Sequence, residues 1–118
     1  MSDEQNVTAE INRTILLEVL DAADVGFKFQ LDDAEAKMEA DIERVISTKK
    51  TFWTKRPYTR DEAIIYLGEW YEWDAYREKS YVVDKINRVK KLRGIVQSSK
   101  LSHIRLTERD LNMLRKYL

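Results

Sequence analysis

No cysteine occurs in the 118 residues. Disulfide scaffolds, thiolate metal sites, iron–sulfur clusters and cysteine nucleophiles are therefore excluded together, and a reducing compartment fits best. Proline occurs once and glycine three times, as the isolated Gly26, Gly68 and Gly94. That is too sparse for a phosphate-binding glycine loop, and sparse enough to predict long elements. Net charge is also missing: 21 Lys and Arg balance 21 Asp and Glu, so the bulk field advertises neither nucleic acid nor an anionic membrane. The longest apolar stretch, Ile15 to Val25, is cut by Glu18, Asp21 and Asp24, so no membrane span is expected. The opening MSDEQNVT has neither a basic start nor an apolar run, so no signal peptide is read and a cytoplasmic location is expected.

What remains, 43% apolar and 36% charged residues, is the composition of a single globular domain over residues 1–118. Apolar spacing predicts an all-α fold of about four helices. From Thr8, a potential N-cap, Ile11, Ile15, Leu16, Val19, Leu20 and Ala23 recur at three and four, with Gly26 just beyond the end. FKFQL alternates over too few residues to define a strand and reads as a loop. Asp32 or Asp33 then caps a second helix with the stripe Ala34, Met38, Ile42 and Val45. Thr59 and Glu62 form a capping box after Pro57 and open a third helix. Ile64, Leu67, Tyr71, Ala75, Val82, Ile86, Val89 and Leu92 stay in phase, predicting one long central helix over roughly 60–93, stopped by Gly94, with a break near Ser80 as its rival. Gly68 inside it suggests close packing of a ring or backbone. HIRL, residues 103–106, is compatible with a very short β segment, and Thr107 opens a last helix through Leu118.

A helix over 60–93 would be a rod of roughly 50 Å, and its first half carries more apolar perimeter than one core needs. Tyr66, Trp70 and Trp73 line a second side of it, and Asp74 falls within the apolar arc, where an ordinary ion pair with Arg77 is the simplest partner. Trp, Tyr and Arg dominate binding energies at interfaces. Tyr66, Trp70, Trp73, Asp74 and Arg77 are accordingly the candidate partner-binding residues, for a protein partner or for self-association into an oligomer.

Chemistry is poorly represented. His103 is the only histidine, and Ser98, Ser99 and Ser102 are too close in sequence to build a triad with it. Glu35, Glu39 and Glu43 share a helix face but lack the Glu-x-x-His pairs of a di-metal bundle, so a solvated acidic face is expected, with no metal and no cofactor. The expectation is a non-enzyme, with a carboxylate-dependent enzyme as the third reading.

Charge comes in blocks. Residues 1–43 hold 12 acids and 3 bases, residues 44–60 six bases and no acid, residues 61–78 six acids and one base, and residues 79–100 seven bases and one acid. Internal complementarity between an acidic N-terminal half and a basic remainder is the simplest use of this pattern. The alternative function, a nucleic-acid-binding accessory protein, rests on KKTFWTKRPYTR. There Lys49, Lys50, Lys55 and Arg56 are interleaved with Phe52 and Trp53, the mixture that holds single strands by phosphate pairing and base stacking. The preferred reading of that segment is a helix–helix connection whose rings plug the core while its lysines face water. The basic run Lys85 to Arg93 scatters its cations around the helix and does not suit a DNA groove.

The segment LTERDLNMLRKYL resembles the opening of the helix-turn-helix domain of LuxR-type regulators, but contains neither the turn nor the recognition helix that reads DNA. YVVDKINRVKKLRG together with that segment is similar to the C-terminal half of the helical domain of GINS replication-complex subunits, with no counterpart in the first half of the chain. Neither family is adopted. The sequence therefore points to an all-α, non-enzymatic binding or regulatory module that docks through the aromatic face of its third helix.

Overall fold

The structure, a computed structural model, describes residues 8–69 and 73–118. The element order is β1 (Thr8–Asn12), α1 (Arg13–Thr48), α2 (Arg60–Glu69), α3 (Asp74–Ser98), β2 (His103–Thr107) and α4 (Glu108–Leu114), then a 3-10 turn over Arg115–Tyr117. Among the described residues the class is as expected: four α-helices and one short antiparallel ladder. The short β segment near 103–106 is β2. It pairs with β1 in the register Thr8↔Thr107 to Asn12↔His103. Two compact units result, one holding Val83–Leu118 with the chain up to Lys28, the other Phe29–Val82. Both α1 and α3 contribute residues to each unit.

In the first unit Leu16, Leu20, Val89, Val96, Leu106 and Leu114 are the largest fully buried side chains. Arg13 ties the start of α1 to the end of α3, its Nε donating to the Val96 carbonyl at 3.0 Å and its Nη2 to the Gln97 carbonyl at 3.2 Å. Arg88 on α3 grips Asp110 of α4 with two bonds of 2.8 and 2.7 Å. The Asp110 amide in turn donates to Thr107 Oγ1, which caps α4 as the sequence predicts. At Gly26 the Tyr117 hydroxyl fills the space a Cβ would need, and the Tyr117 ring meets Phe27 edge-on at 5.6 Å.

In the second unit the core is Ile42, Val45, Ala63, Trp73 and Ala75, with Met38, Ile46, Tyr58 and Leu67 packed against it. The capping box that opens α2 is present: the Glu62 amide donates to Thr59 Oγ1 at 3.2 Å, and the Thr59 amide donates to Glu62 Oε1 at 3.0 Å.

Several boundaries differ from expectation. Thr8 is not a helix cap but the first residue of β1; Asn12 Oδ1 caps α1 instead, accepting from the Thr14 and Ile15 amides at 2.9 and 3.2 Å. Gly26 and FKFQL do not interrupt α1, which runs on to Thr48. The two stripes separated in the sequence are one stripe: buried Leu16, Leu20, Ala23, Phe27, Ala34, Ile42 and Val45 keep helical phase throughout. The predicted 60–93 helix is not one rod. α2 ends at Glu69, Trp73 lies in no helix, and α3 starts at Asp74 and passes Gly94 to reach Ser98. Gly94 stops nothing because it does not adopt the positive φ of a C-cap, and Ser80 lies inside α3. Among the described residues no atom lies within 4 Å of where a Cβ on Gly68 would stand, so none of them makes the expected close approach over it.

Candidate functional site

Of the rings in the α1–α2 connection, Tyr58 packs against the core as expected, but Phe52 and Trp53 do not. Trp53 is 89% exposed and Phe52 73% exposed. The loop that carries them is nonetheless built. Lys50 and Pro57 form a β-bridge, the Thr51 amide donates to the Arg56 carbonyl at 2.8 Å, and the Lys55 amide donates to the Thr51 carbonyl at 3.1 Å. The Thr51 and Thr54 hydroxyls bond one another. Lys55 is the only described non-glycine residue at positive φ, 55°, a left-handed conformation costing on the order of 1–2 kcal/mol that the turn hydrogen bonds hold in place.

Two arginines fix the base of this hairpin. Arg56 donates to both Glu62 oxygens at 2.6 and 2.8 Å and to the Pro57 carbonyl at 3.1 Å. The Arg56 guanidinium, helped by the Thr59 amide, holds the Glu62 carboxyl down to about 2. Arg60 grips Glu39 on α1 in the same bidentate way and lowers the pKa of that carboxyl. Glu39 is thus committed to an ion pair and its face of α1 is not a chelating one. The Arg56–Glu62 clamp was not anticipated, because the capping box had already given Glu62 a role; Pro57, which fixes the chain between them, was the available signal.

Three cations of the predicted nucleic-acid set remain outside ion pairs among the described residues: Lys49, Lys50 and Lys55. Lys55 Nζ stands over the Phe52 ring at 5.4 Å, and Phe52 meets Trp53 edge-to-face at 5.0 Å. Lys49 Nζ stands over Tyr66 at 5.5 Å, and Tyr66 meets Tyr58 at 5.4 Å, so Tyr66 supports the hairpin base. Arg56 faces Glu62 instead of solvent anions.

The predicted partner-binding set is only partly assembled. Trp73 is a core residue, 7% exposed, with its indole N–H donating to Asp41 Oδ2 at 2.8 Å. As a protruding anchor it is therefore a correction: its ring and its donor are both used internally. Trp70 lies outside the described residues, with Tyr71 and Glu72. Asp74 is the first residue of α3 and largely exposed, not within an apolar arc, and it pairs with Arg77 as expected. Tyr76, stacked on Trp73 at 6.0 Å, is the exposed ring there. Tyr66, Trp73 and Asp74 do line one groove of about 600 Å³. Of its charged walls, Lys37 pairs with Glu78 and Arg44 with Asp41, while Lys49 stands over Tyr66.

His103 Nδ1 meets only the neighbouring Ser102 hydroxyl at 3.1 Å. The carboxyls displaced from their ordinary range, Glu39, Glu62 and Asp110, are each held low by an arginine, the opposite of a general acid. Among the described residues no group of acids and histidine is placed to hold a metal, and no helix is long and apolar enough to cross a membrane. No family model, no curated protein and no solved structure matches the chain.

Proposed function

We propose that this chain is a non-enzymatic binding module whose contact surface is the hairpin between α1 and α2. The single observation that supports it is a hydrogen-bonded, arginine-clamped turn that holds a tryptophan almost wholly in water. Burying such a ring is worth about 1.5–3 kcal/mol or more, so a fold that spends a strained residue and two ion pairs to keep it out has a use for it elsewhere. Tryptophan is also the residue type most enriched among dominant contacts at interfaces. Rings this exposed cannot enclose a small molecule, so the partner is a macromolecule that closes over them. Absence of cysteine supports a reducing, cytoplasmic setting.

Docking through the aromatic helix face, the other binding reading, has less behind it, since Trp73 is occupied by Asp41. Affinity capture separates the two surfaces. Whatever macromolecule the wild-type chain retains from its native lysate should be lost with Trp53→Ala and kept with Tyr76→Ala, with helical circular dichroism unchanged in both. Retention that survives Trp53→Ala and disappears with Tyr76→Ala would move the contact surface to the helix face.

A further inference from the structure

The chemistry of the hairpin identifies its partner class, an inference that rests on the hairpin being the contact surface. We propose that it takes a single-stranded polynucleotide, with Trp53 stacking on one base, Lys49, Lys50 and Lys55 pairing with phosphates, and Arg56 acting as a positioning residue through Glu62.

Four observations converge. First, the segment 44–60 contains six cations and no acid, so its field is positive although the molecule's is not. Second, its arginines are consumed: Arg44 by Asp41, Arg56 by Glu62 and Arg60 by Glu39. The free cations are therefore lysines, point charges on flexible stems that can follow backbone phosphates without a fixed two-point geometry. Third, Phe52 and Trp53 stand at 86° to one another, and Lys55 covers Phe52, so one ring is offered for stacking and the other braces it. A duplex keeps its bases stacked internally and gives Trp53 nothing to stack on; an unpaired strand does. Fourth, the Lys55 ammonium stands over the Phe52 ring, 5.4 Å from its centroid. Pushing the rings into a bilayer would carry that charge toward the hydrocarbon, which disfavours a lipid surface.

Three phosphate contacts set the expected salt dependence. On a single strand each contributes about 0.7 to the slope of log affinity against log salt, giving a slope near −2 and roughly a 20-fold loss between 50 and 200 mM salt. The test is fluorescence anisotropy of a short labelled oligothymidylate titrated with the full chain. Trp53→Ala should weaken binding roughly 5- to 150-fold, the range observed for loss of one stacked base, and Trp53→Phe should restore most of it. Lys50→Ala should lower the slope by about 0.7. Glu62→Gln is the sharper probe of positioning. It removes a negative charge beside the site, so on field alone it should tighten binding; if Glu62 acts by holding Arg56 and the turn, it weakens binding with the slope unchanged.

Equal affinity for a duplex of the same length or indifference to Trp53→Ala would each overturn the assignment, and tightening by Glu62→Gln would overturn the positioning role of Arg56. So would failure to bind oligothymidylate with a blue shift of tryptophan emission on phosphatidylserine vesicles that Trp53→Ala abolishes, which would make a lipid surface the occupant. Failure on both probes, with lysate capture still dependent on Trp53, would overturn the polynucleotide assignment while leaving the hairpin as the contact surface.

Discussion

At the scale of single residues, what decides each role is whether a polar group is already satisfied. Trp73 and Trp53 are the same residue type, yet one donates its indole N–H to Asp41 and is sealed, while the other is held in water. Residue type alone could not separate them, because the separation depends on a carboxylate 32 positions away in sequence. Asp110 is the complementary case, a buried charge paired by Arg88. Asp110→Asn should destabilise the fold by about 1–3 kcal/mol at neutral pH, less than a wholly buried pair because the Arg88 side chain is 37% exposed. The arginine holds the Asp110 carboxyl below its ordinary range, so its contribution is complete above the unfolded carboxylate pKa and is lost as pH falls through and below that range. Urea unfolding at pH 7 and at about pH 3 should therefore show the difference between wild type and Asp110→Asn shrinking on the acid side.

At the scale of elements, helix phase was legible and helix ends were not. The stripes in α1 and α3 were read correctly in kind, and the capping box at Thr59 and the N-cap at Thr107 stand where the sequence places them. These signals are local, carried by residues within a turn of each other. Gly26 was given too much weight as a stop. A glycine costs a helix interior only about 1 kcal/mol, which a 36-residue helix with a continuous buried stripe absorbs, and here the missing side chain makes room for Tyr117. FKFQL shows the same error in miniature: Phe27 is buried and Phe29 exposed, which helical spacing gives and strand alternation does not. β1 was missed because its partner β2 lies at the other end of the chain, and pairing at that separation leaves no local trace. The start of α1 follows from this, with Asn12 both closing the strand and capping the helix. Asn12→Ala should cost about 1 kcal/mol in thermal or chemical unfolding, as loss of an N-cap does. Thr8→Ala should show no such capping loss.

At the scale of the whole molecule, zero net charge conceals local fields that the fold partly cancels. Acidic N-terminal residues meet later arginines at Glu10 with Arg105, Asp21 with Arg93 and Glu39 with Arg60, which is the complementarity the charge blocks imply. Among the cations that escape cancellation are the lysines around Trp53. The candidate surface was half legible: the mixture of rings and cations at 49–60 was visible in the sequence, but not whether the rings face in or out. That depends on the turn geometry, the Arg56 clamp and a core already filled by Ile42, Val45 and Trp73. The central claim is that Trp53 is held out by an ordered turn and not left out by a slack linker. Backbone 15N relaxation of the free protein tests it most directly: amides of residues 50–56 should have order parameters near those of the flanking helices, about 0.85, whereas values below about 0.6 across the turn would contradict it.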